Sequence, residues 1–235
     1  MDSKIDQRRV TVIRADGTKT VEDRFLLVEH PLTVIVNERP VYRLICIRDH
    51  IRELVVGRLY TDRLISSLHD IRKLYICHEE YEARVFLKYD VEWESALSLR
   101  PEASCCTSNY LFKKEWIFKL AGSFTEGTPF HQLTQGNHSC LLSVKGEIVF
   151  SCEDIGRHNA VDKAVGYALY HDIMLSDCML YISGRVPVDM VEKVIAAGIP
   201  VLVTKAVATA ESAALARKKG LILICRAYQD QFEIM

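Results

Sequence analysis

The sequence predicts an α/β protein in which a smaller N-terminal α+β domain is followed by a three-layer α/β domain. In the second half, strand and helix patterns alternate with short connections, which is typical of helices packed on both faces of a sheet. In the first half, hairpin patterns surround a single helix. Between residues 95 and 108 this periodicity stops in a small, polar, proline-bearing stretch typical of an exposed interdomain loop. We therefore place the two domains at residues 1–108 and 109–235.

The N-terminal half predicts strands paired through tight turns. Strand patterns occupy residues 9–14, 32–36, 41–47, 74–77 and 83–89. The dipeptides Asp16-Gly17 and Asn37-Glu38 are expected to form the hairpin turns. Asp49 is expected to cap a helix, because the apolar residues after it recur at helical spacing. The apolar face of this helix consists of Ile51, Leu54, Val55, Leu59 and Tyr60.

The C-terminal half predicts five strands and three helices. Strand patterns occupy residues 141–144, 147–152, 179–182, 199–203 and 221–225. Helices are predicted from about Arg157, from Pro187 to Gly198, and over 210–219 before Gly220. Proline at a helix start and glycine just past a helix end follow the known preferences of helix termini.

Composition and charge exclude several classes of protein. Of the 235 residues, 49% are apolar and 26% are charged, which excludes a disordered, collagen-like or small disulfide-stapled chain. The net charge of −1 gives no global attraction to nucleic acid or to an anionic membrane, although a local basic patch stays open. The polar amino terminus lacks a secretory signal, and apolar runs such as 199–203 are far below the ~20 residues of a membrane span. We expect a cytoplasmic protein whose eight cysteines are free thiols.

Two adjacent cysteines, Cys105 and Cys106, lie in the polar interdomain stretch and are candidates for chemistry. An exposed thiol ionises, the thiolate is the nucleophilic form, and nearby Arg100 favours it. The alternatives are two surface cysteines without a role, or a strained disulfide between neighbours.

The segment 153–163, EDIGRHNAVDK, predicts an anion-binding site at the start of a helix. It places Arg157 and His158 where backbone N–H groups and the helix dipole favour negative charge. The simpler alternative is an exposed helix start at which Asp154 only caps and Arg157 only pairs with it. The loops 134–138 and 183–185 also adjoin strands and add His138 and Arg185. Together the four cationic side chains predict a pocket suited to phosphates.

The sequence lacks the motifs of several common catalytic sites. The His-x-Glu and Pro-Cys-x-x-Cys pair of a zinc deaminase is missing, and the Cys and His residues lack the spacing of a closed zinc site. No Walker loop and no GxGxxG occur, so nucleotide hydrolysis and dinucleotide redox chemistry are disfavoured. We therefore expect no bound metal ion.

Long motifs in both halves resemble the formate dehydrogenase accessory protein D family. The main one is EDIGRHNAVDKAVG, followed by SGRVPVDMVEKVIAAGIPVLVTKAVATAESAALARKKGLILIC. The resemblance extends upstream to FHQLTQGNH, ELVVGRLYTDRLI and EHPLTVIVNERPVYRLICI. It implies a second domain with a cytidine-deaminase-like fold that lacks the zinc site.

The resemblance also implies a function. Members of this family accept sulfane sulfur from a cysteine desulfurase and hold it as a cysteine persulfide. They pass it to the molybdenum or tungsten bis-guanine-dinucleotide pterin cofactor before that cofactor enters formate dehydrogenase. A guanine nucleotide is then a partial mimic of this client, molybdenum bis(molybdopterin guanine dinucleotide).

The family's site residues are carried over by position. Cys105 falls on the first cysteine of the family's Cys-x-x-Cys motif, whereas Ser108 falls on the second, and Cys106 and Asn109 replace glycines. One thiolate suffices to accept sulfur, and a second matters more for disulfide exchange, a role left open for Cys106. The segment at the nucleotide-contacting position of the family comprises Arg226, Ala227, Tyr228, Gln229, Asp230 and Gln231. The alternative for that segment is a frayed terminus.

Two further expectations concern activity and assembly. The loss of the second motif cysteine keeps open a chaperone that binds the cofactor without transferring sulfur. A client with two nucleotide arms suits two equivalent pockets, so we expect a homodimer rather than a monomer that binds one arm.

Overall fold

The fold consists of three β-sheets and six α-helices within the described residues of a computed structural model: 4–77, 79, 81–91, 93 and 112–235. Strands β1 (Ile5–Ile13) and β2 (Lys19–Leu27) form a two-stranded antiparallel ribbon, with Asp16-Gly17 in its turn as predicted. Gly17 has a φ of 85°, which a residue without a Cβ adopts freely.

A four-stranded sheet follows the ribbon. Its strands are β3 (His30–Val36), β4 (Arg39–Cys46), β5 (Ile71–Cys77) and β6 (Glu82–Leu87), in the spatial order β4-β3-β6-β5. Helix α1 (Ile51–Thr61) covers one face, because its apolar side chains pack on those of alternate strand residues. The buried strand side chains of this core include Leu32, Val34, Val36, Ala83, Val85 and Leu87.

A six-stranded mixed sheet forms the second half of the molecule. Its strands are β7 (His138–Val144), β8 (Glu147–Asp154), β9 (Cys178–Ile182), β10 (Val201–Thr204), β11 (Ile222–Cys225) and β12 (Glu233–Ile234). The spatial order is β12-β11-β10-β9-β7-β8, and the three central strands β9, β10 and β11 run parallel. The predicted α/β class is confirmed by this alternation of strands and helices.

Helices cover both faces of the large sheet. Helices α4 (Arg157–Tyr170), α5 (Val188–Ala196) and α6 (Ala210–Lys219) bury residues against one face. Helix α2 (Lys114–Glu126) packs on the other face, and the short helix α3 (Pro129–Thr134) connects it to β7. The sequence analysis did not predict α2, α3 or β12.

Helices α1 and α4 join the two larger sheets through a close backbone approach. A Cβ atom added at Gly57 would lie 1.8 Å from the carbonyl oxygen of Asp162. A Cβ at Gly166 would lie 2.0 Å from the carbonyl oxygen of Glu53. Only glycine therefore fits at either position of this helix crossing.

The predicted cap of α1 was wrong. The residue before α1 is His50, in the left-handed conformation with a φ of 51°, and its side chain makes no capping hydrogen bond. The Asp49 carboxylate instead lies 3.0 Å from Nζ of Lys4, at the start of the ribbon. The 108/109 domain boundary lies outside the described residues, so it stays a prediction. None of the described helices is long and apolar enough to cross a membrane.

Candidate anion site at the edge of the large sheet

The candidate site lies at the edge of the large sheet where its parallel strands end. Strands β9, β10 and β11 all reach this edge with their carboxyl ends. The antiparallel register brings His138, the first residue of β7, opposite Asp154, the last residue of β8. Since helix α4 begins three residues after Asp154, its N-terminus opens at the same edge. Ligands bind at such edges in open α/β sheets.

His138, Arg157 and the loop after β9 meet around Gly184. A Cβ added at Gly184 would lie 3.3 Å from Nδ1 of His138 and 3.5 Å from Cβ of Arg157. Nδ1 of His138 lies 3.2 Å from the Ser183 hydroxyl, which also accepts a hydrogen bond from the Ser139 amide. The small residues of this loop therefore let the His138 and Arg157 side chains approach one another.

The Arg157 guanidinium has an unused donor. Its Nε atom is buried and has no hydrogen-bond partner among the described residues. Arg157 also lines an open groove of about 460 Å³ between the first turns of α5 and α6. The other residues lining this groove are Pro187, Val188, Asp189, Glu192, Thr209 and Glu211. A buried N–H without an acceptor is costly, so this position favours a ligand oxygen.

Burial and neighbouring charge keep the two site histidines neutral. Burial lowers the pKa of His138 below its usual value of 6.5, and the positive charge of Arg157 lowers it further. Burial is also the main cause that lowers the pKa of His158, although Asp189 opposes this shift. Nε2 of His158 lies 3.1 Å from the Asp189 carboxylate. At neutral pH the positive charge of the site therefore resides on arginine.

The four predicted cationic residues are not equally close to one another. His138 and Arg157 meet at Gly184, and His158 is next to Arg157 on the first turn of α4. Arg185 is exposed on the loop after β9. Whether all four line one cavity that faces Cys105 stays a prediction, because Cys105 lies outside the described residues.

Glu153 holds the loop that precedes His138. Its buried carboxylate accepts hydrogen bonds from the backbone N–H groups of Phe130 and His131, from Asn137 Nδ2 and from the Thr128 hydroxyl. His131 is also among the groups whose electrostatic interaction lowers the pKa of His138, so it is a neighbour of the site. The sequence analysis did not single out His131 or Glu153. The quoted segment FHQLTQGNH contained His131, but only the fold brings it beside the other histidines.

The remaining polar residues of EDIGRHNAVDK are structural. Asp154 and Lys163 form a fully buried ion pair at 2.7 Å, and Lys163 also donates to the backbone carbonyl of Ile47. Asp154 accepts a hydrogen bond from the Ile47 amide, and Asn159 donates to the Ile45 carbonyl. Asp154 therefore ties α4 to the end of β4, and no hydrogen bond joins it to Arg157 in the described structure. The alternative of an exposed helix start, at which Arg157 only pairs with Asp154, is therefore wrong about this pair.

The carboxy-terminal segment is anchored to the same edge. The Arg226 and Ala227 amides donate to the Ala206 and Thr204 carbonyls, and the buried Tyr181 hydroxyl donates to the Ala227 carbonyl at 2.6 Å. The Tyr228 amide donates to the Gln231 carbonyl, which closes a turn before β12. The alternative of a frayed terminus is therefore wrong. The side chains of Tyr228, Gln229, Asp230 and Gln231 stay on the surface.

The chain is similar to known proteins over most of its length. The family model described as FdhD/NarQ family matches residues 27–235. The chain belongs to the FdhD/NarQ family. It is 28% identical to "Sulfur carrier protein FdhD" of Bacillus pumilus, over 100% of this chain and 97% of that protein. It is 30% identical to the protein of the same name from Saccharolobus solfataricus, over 92% and 91% of the two chains.

The fold is also shared with a solved structure. A protein from Desulfotalea psychrophila, provisionally named a formate dehydrogenase accessory protein, superposes with a TM-score of 0.83. The match covers 99% of this chain and 97% of the other at 23% identity, so it shows the fold. Within the FdhD/NarQ family match lie all the residues of the sheet-edge site and both cysteines of the interdomain stretch.

The expected roles of the cysteine motif and the expected lack of a metal site both involve residues outside the described part of the chain. Cys105, Cys106, Ser108 and Asn109 all fall there, so their roles stay predictions. In the part of the chain that is described, no group of three or more His, Cys, Asp or Glu side chains is arranged to hold a metal ion. The six cysteines of that part are free thiols, and five of them are buried.

Proposed function

We propose that this protein is a sulfur carrier that loads sulfur onto a molybdenum or tungsten bis-guanine-dinucleotide pterin cofactor for formate dehydrogenase. A cysteine desulfurase supplies the sulfur, and Cys105 holds it as a persulfide. The observation that carries the proposal is the family match over residues 27–235, together with full-length relatives named as sulfur carriers. The name of the Desulfotalea psychrophila protein supports formate dehydrogenase as the destination.

The transfer to Cys105 is a thiol exchange reaction. The Cys105 thiolate attacks the terminal sulfur of the donor persulfide, and a new sulfur–sulfur bond forms on Cys105. The sulfur–sulfur bond of the donor breaks, and its cysteine leaves as a thiolate. The proton on the terminal sulfur moves to Cys105 together with that sulfur. No external oxidant or reductant is consumed, because one sulfur–sulfur bond replaces another. One cysteine is sufficient for this step, and Cys106 is a candidate for an auxiliary thiol.

The cofactor is the cargo of this reaction, and Arg157 at the sheet edge suits its anionic end, whereas the carboxylates of Asp189, Glu192 and Glu211 line the groove beside it. Arg157 offers a buried N–H without an acceptor, at a helix N-terminus where phosphate oxygens bind favourably. Neutral His138 and His158 offer ring nitrogens beside it, and Arg185 adds an exposed positive charge. The surface turn 226–231 is proposed to contact the guanine nucleotide, for which GDP is the simplest probe. We also propose a cytidine-deaminase-like fold for the second domain, since the same family resemblance implies both.

The second candidate function is a chaperone that binds the cofactor without transferring sulfur. The observation that favours it is Ser108, which stands where the family motif has its second cysteine. In that case the sheet edge binds the same cargo, and Cys105 carries nothing.

Persulfide mapping distinguishes the two functions. The protein is incubated with a cysteine desulfurase and cysteine, and the mass added to each cysteine is read by peptide mass spectrometry. A sulfur carrier gains the mass of one sulfur atom on Cys105, and Cys105→Ala gains none there. Cys106→Ala serves as the matched control and retains the added mass on Cys105. A wild-type protein without added sulfur on Cys105 would contradict the carrier and leave the chaperone.

A further inference from the structure

Lys205 presents a positive charge at the same edge of the large sheet as Arg157. Strand β10 is one of the central strands of this sheet and ends at Thr204, so Lys205 directly follows its carboxyl end. Lys205 is exposed, and it forms no ion pair with any residue in the described part of the chain. The sequence analysis did not single out this residue. Its position is nevertheless one at which open α/β sheets bind ligands.

The Lys205 ammonium lies on the face of the large sheet that α2 covers. Its Nζ atom is 5.4 Å from the centroid of the Phe124 ring, in the last turn of α2. The Phe124 ring packs in turn on the buried Tyr181 ring, with the two centroids 4.7 Å apart. A ring face attracts an ammonium group without neutralising it. The Lys205 side chain is therefore supported by the core, and its charge stays available to an anion.

Thr204 connects Lys205 to the place where the site histidine and arginine meet. The Thr204 hydroxyl donates a hydrogen bond to the Gly184 carbonyl at 2.8 Å. A Cβ atom at Gly184 would lie 3.5 Å from Cβ of Arg157. The two cations belong to opposite faces of the sheet, because Lys205 contacts Phe124 of α2 whereas Arg157 begins α4. Lys205 and Arg157 therefore flank one stretch of the sheet edge from its two faces.

The same segment also holds the carboxy-terminal turn 226–231. The backbone N–H groups of the first two residues of the turn donate to the carbonyls of the residues on either side of Lys205. Arg226 is the cation of the turn, and its guanidinium lies 3.1 Å from the Glu233 carboxylate. The charge of Arg226 is thus compensated, whereas that of Lys205 is not. Lys205 therefore supplies the positive charge beside the start of the turn.

The charges of this edge favour one orientation of a nucleotide. The Asp230 carboxylate lies on the surface near the end of the turn, away from the residues bonded to the Lys205 segment. A carboxylate repels phosphate, but it accepts hydrogen bonds from the N–H groups that a guanine base carries. Phosphates are therefore favoured at the Lys205 end of the turn and the base at the Asp230 end. A diphosphate has two anionic groups, so Lys205 and Arg157 can both bind it.

Resting on the proposed function, we propose that Lys205 binds the diphosphate in the guanine nucleotide arm of the cofactor. Lys205 contributes a point charge from the α2 face, and Arg157 contributes N–H donors from the α4 face. The turn 226–231 contacts the base. A ligand without phosphates gains nothing from Lys205, so the contribution of this residue depends on the phosphate groups of the ligand.

The test uses substitutions of Lys205 in the full-length protein. Lys205→Met removes the charge and keeps an unbranched side chain against the Phe124 ring, whereas Lys205→Arg keeps the charge. The matched control is Lys218→Met, which removes an exposed lysine in the last turn of α6, near the opposite edge of the sheet. Circular dichroism and melting temperature verify that all three variants are folded.

Binding of GDP and of guanosine is measured by calorimetry. We expect Lys205→Met to bind GDP at least about tenfold more weakly than wild type, because a charge-assisted contact to phosphate is lost. Lys205→Arg should retain most of the affinity, and Lys218→Met should bind GDP like wild type. Guanosine should bind equally to wild type and to Lys205→Met.

Three results would overturn the proposal. The first is an equal affinity of wild type and Lys205→Met for GDP. The second is an equal loss of GDP and guanosine binding in Lys205→Met, which would mean that Lys205 supports the turn rather than the phosphates. The third is a wild-type protein that does not bind GDP.

Sulfur loading of the wild-type protein separates this proposal from the proposed function. Loading of Cys105 from a cysteine desulfurase involves no nucleotide, so it is read independently of GDP binding. If Cys105 gains sulfur while Lys205→Met binds GDP like wild type, the sulfur carrier stands and the role of Lys205 fails. If Lys205→Met loses GDP affinity as expected while Cys105 gains no sulfur, the carrier fails and Lys205 stands as a nucleotide-binding residue of a chaperone.

Discussion

At the scale of single residues, Arg157 is the side chain on which the sheet-edge site depends. It presents a buried N–H without an acceptor, and its charge contributes to the lowered pKa of His138. Both effects follow from the position of Arg157 in the first turn of α4, beside His138. The neighbouring His158 instead faces Asp189.

We expect Arg157→Gln to raise the pKa of His138, because a positive charge that disfavours protonation is removed. The same change should weaken GDP binding by about tenfold, since a charge-assisted hydrogen bond to phosphate contributes about 1.5–3 kcal/mol. Histidine titration by NMR and calorimetry with GDP measure the two effects. Arg185→Gln is the matched control and should leave the His138 titration unchanged. An unchanged His138 pKa in Arg157→Gln would contradict the electrostatic assignment.

The lowered histidine pKa values make stability depend on pH. The unfolded chain binds protons on His138 and His158 near pH 6.5, whereas the folded chain binds them only at lower pH. The free energy of unfolding therefore falls as the pH is lowered from about 6.5 through the folded pKa values. Urea denaturation at pH 7.5, 6.5 and 5.5 should show this loss. In His138→Gln/His158→Gln the loss over this range should be smaller, and an identical slope would refute its origin.

At the scale of secondary-structure elements, the crossing of α1 and α4 fixes how the two halves of the molecule meet. The crossing depends on glycine at positions 57 and 166, where each helix touches the backbone of the other. Since α4 also carries Arg157 and His158 in its first turn, a shift of this crossing moves the site as well. Helix packing and site geometry are therefore coupled.

Gly57→Ala should destabilise the protein by about 3 kcal/mol, because its Cβ would lie 1.8 Å from the Asp162 carbonyl oxygen. Gly122→Ala in α2 is the control, since its nearest neighbour would be the Gln229 side chain at 3.8 Å. There we expect a gain of about 0.5–1 kcal/mol from helix propensity. Chemical denaturation measures both. A neutral Gly57→Ala would mean that α1 and α4 separate without cost.

At the scale of the whole molecule, two buried ion pairs of the second half hold residues of the first half through hydrogen bonds. Lys193 on α5 lies 2.7 Å from Asp162 on α4, and the Thr61 hydroxyl at the end of α1 donates to the same carboxylate. The second pair, Asp154–Lys163, bonds to the backbone of Ile47 beyond β4. Such pairs specify one arrangement, because any other arrangement leaves a charge buried without a partner.

Lys193→Met should cost about 3–5 kcal/mol of unfolding free energy, because the buried Asp162 carboxylate then loses its partner at 2.7 Å and keeps only the more distant Arg58 guanidinium at 3.9 Å. In Asp162→Asn/Lys193→Met the cost should be smaller, since no isolated charge remains. Arg8→Met removes the exposed Arg8–Asp6 pair and should cost at most about 1 kcal/mol. Urea titrations of the three variants test this order. Equal costs at the buried and exposed pairs would contradict it.

The homodimer proposed for the two-armed cofactor is also a prediction about the whole molecule. Two equivalent sites linked by one ligand bind more tightly than either alone. Light scattering at micromolar concentration, with and without GDP, should give twice the chain mass of 26.8 kDa. A single chain mass under both conditions would support the monomer that binds one arm.

Sequence periodicity was enough to predict most elements of the fold. The hairpins at Asp16-Gly17 and Asn37-Glu38 and the alternation after residue 138 follow from local preferences for turns, strands and helix ends. Helices α2 and α3 were missed. Their role becomes visible only where Ile117 and Leu120 pack on the far face of the large sheet. The prediction that Asp49 caps α1 was wrong because the Asp49 carboxylate binds Lys4, which is distant in sequence.

The sequence by itself determined the family, the order of most strands and helices, and a set of polar residues in EDIGRHNAVDK. Only the tertiary structure divided that set, because side chains of one eleven-residue motif that runs from the end of β8 into α4 point to different sides of the fold. Asp154, Asn159, Asp162 and Lys163 face the first half of the molecule and hold it, whereas Arg157 and His158 face the open edge.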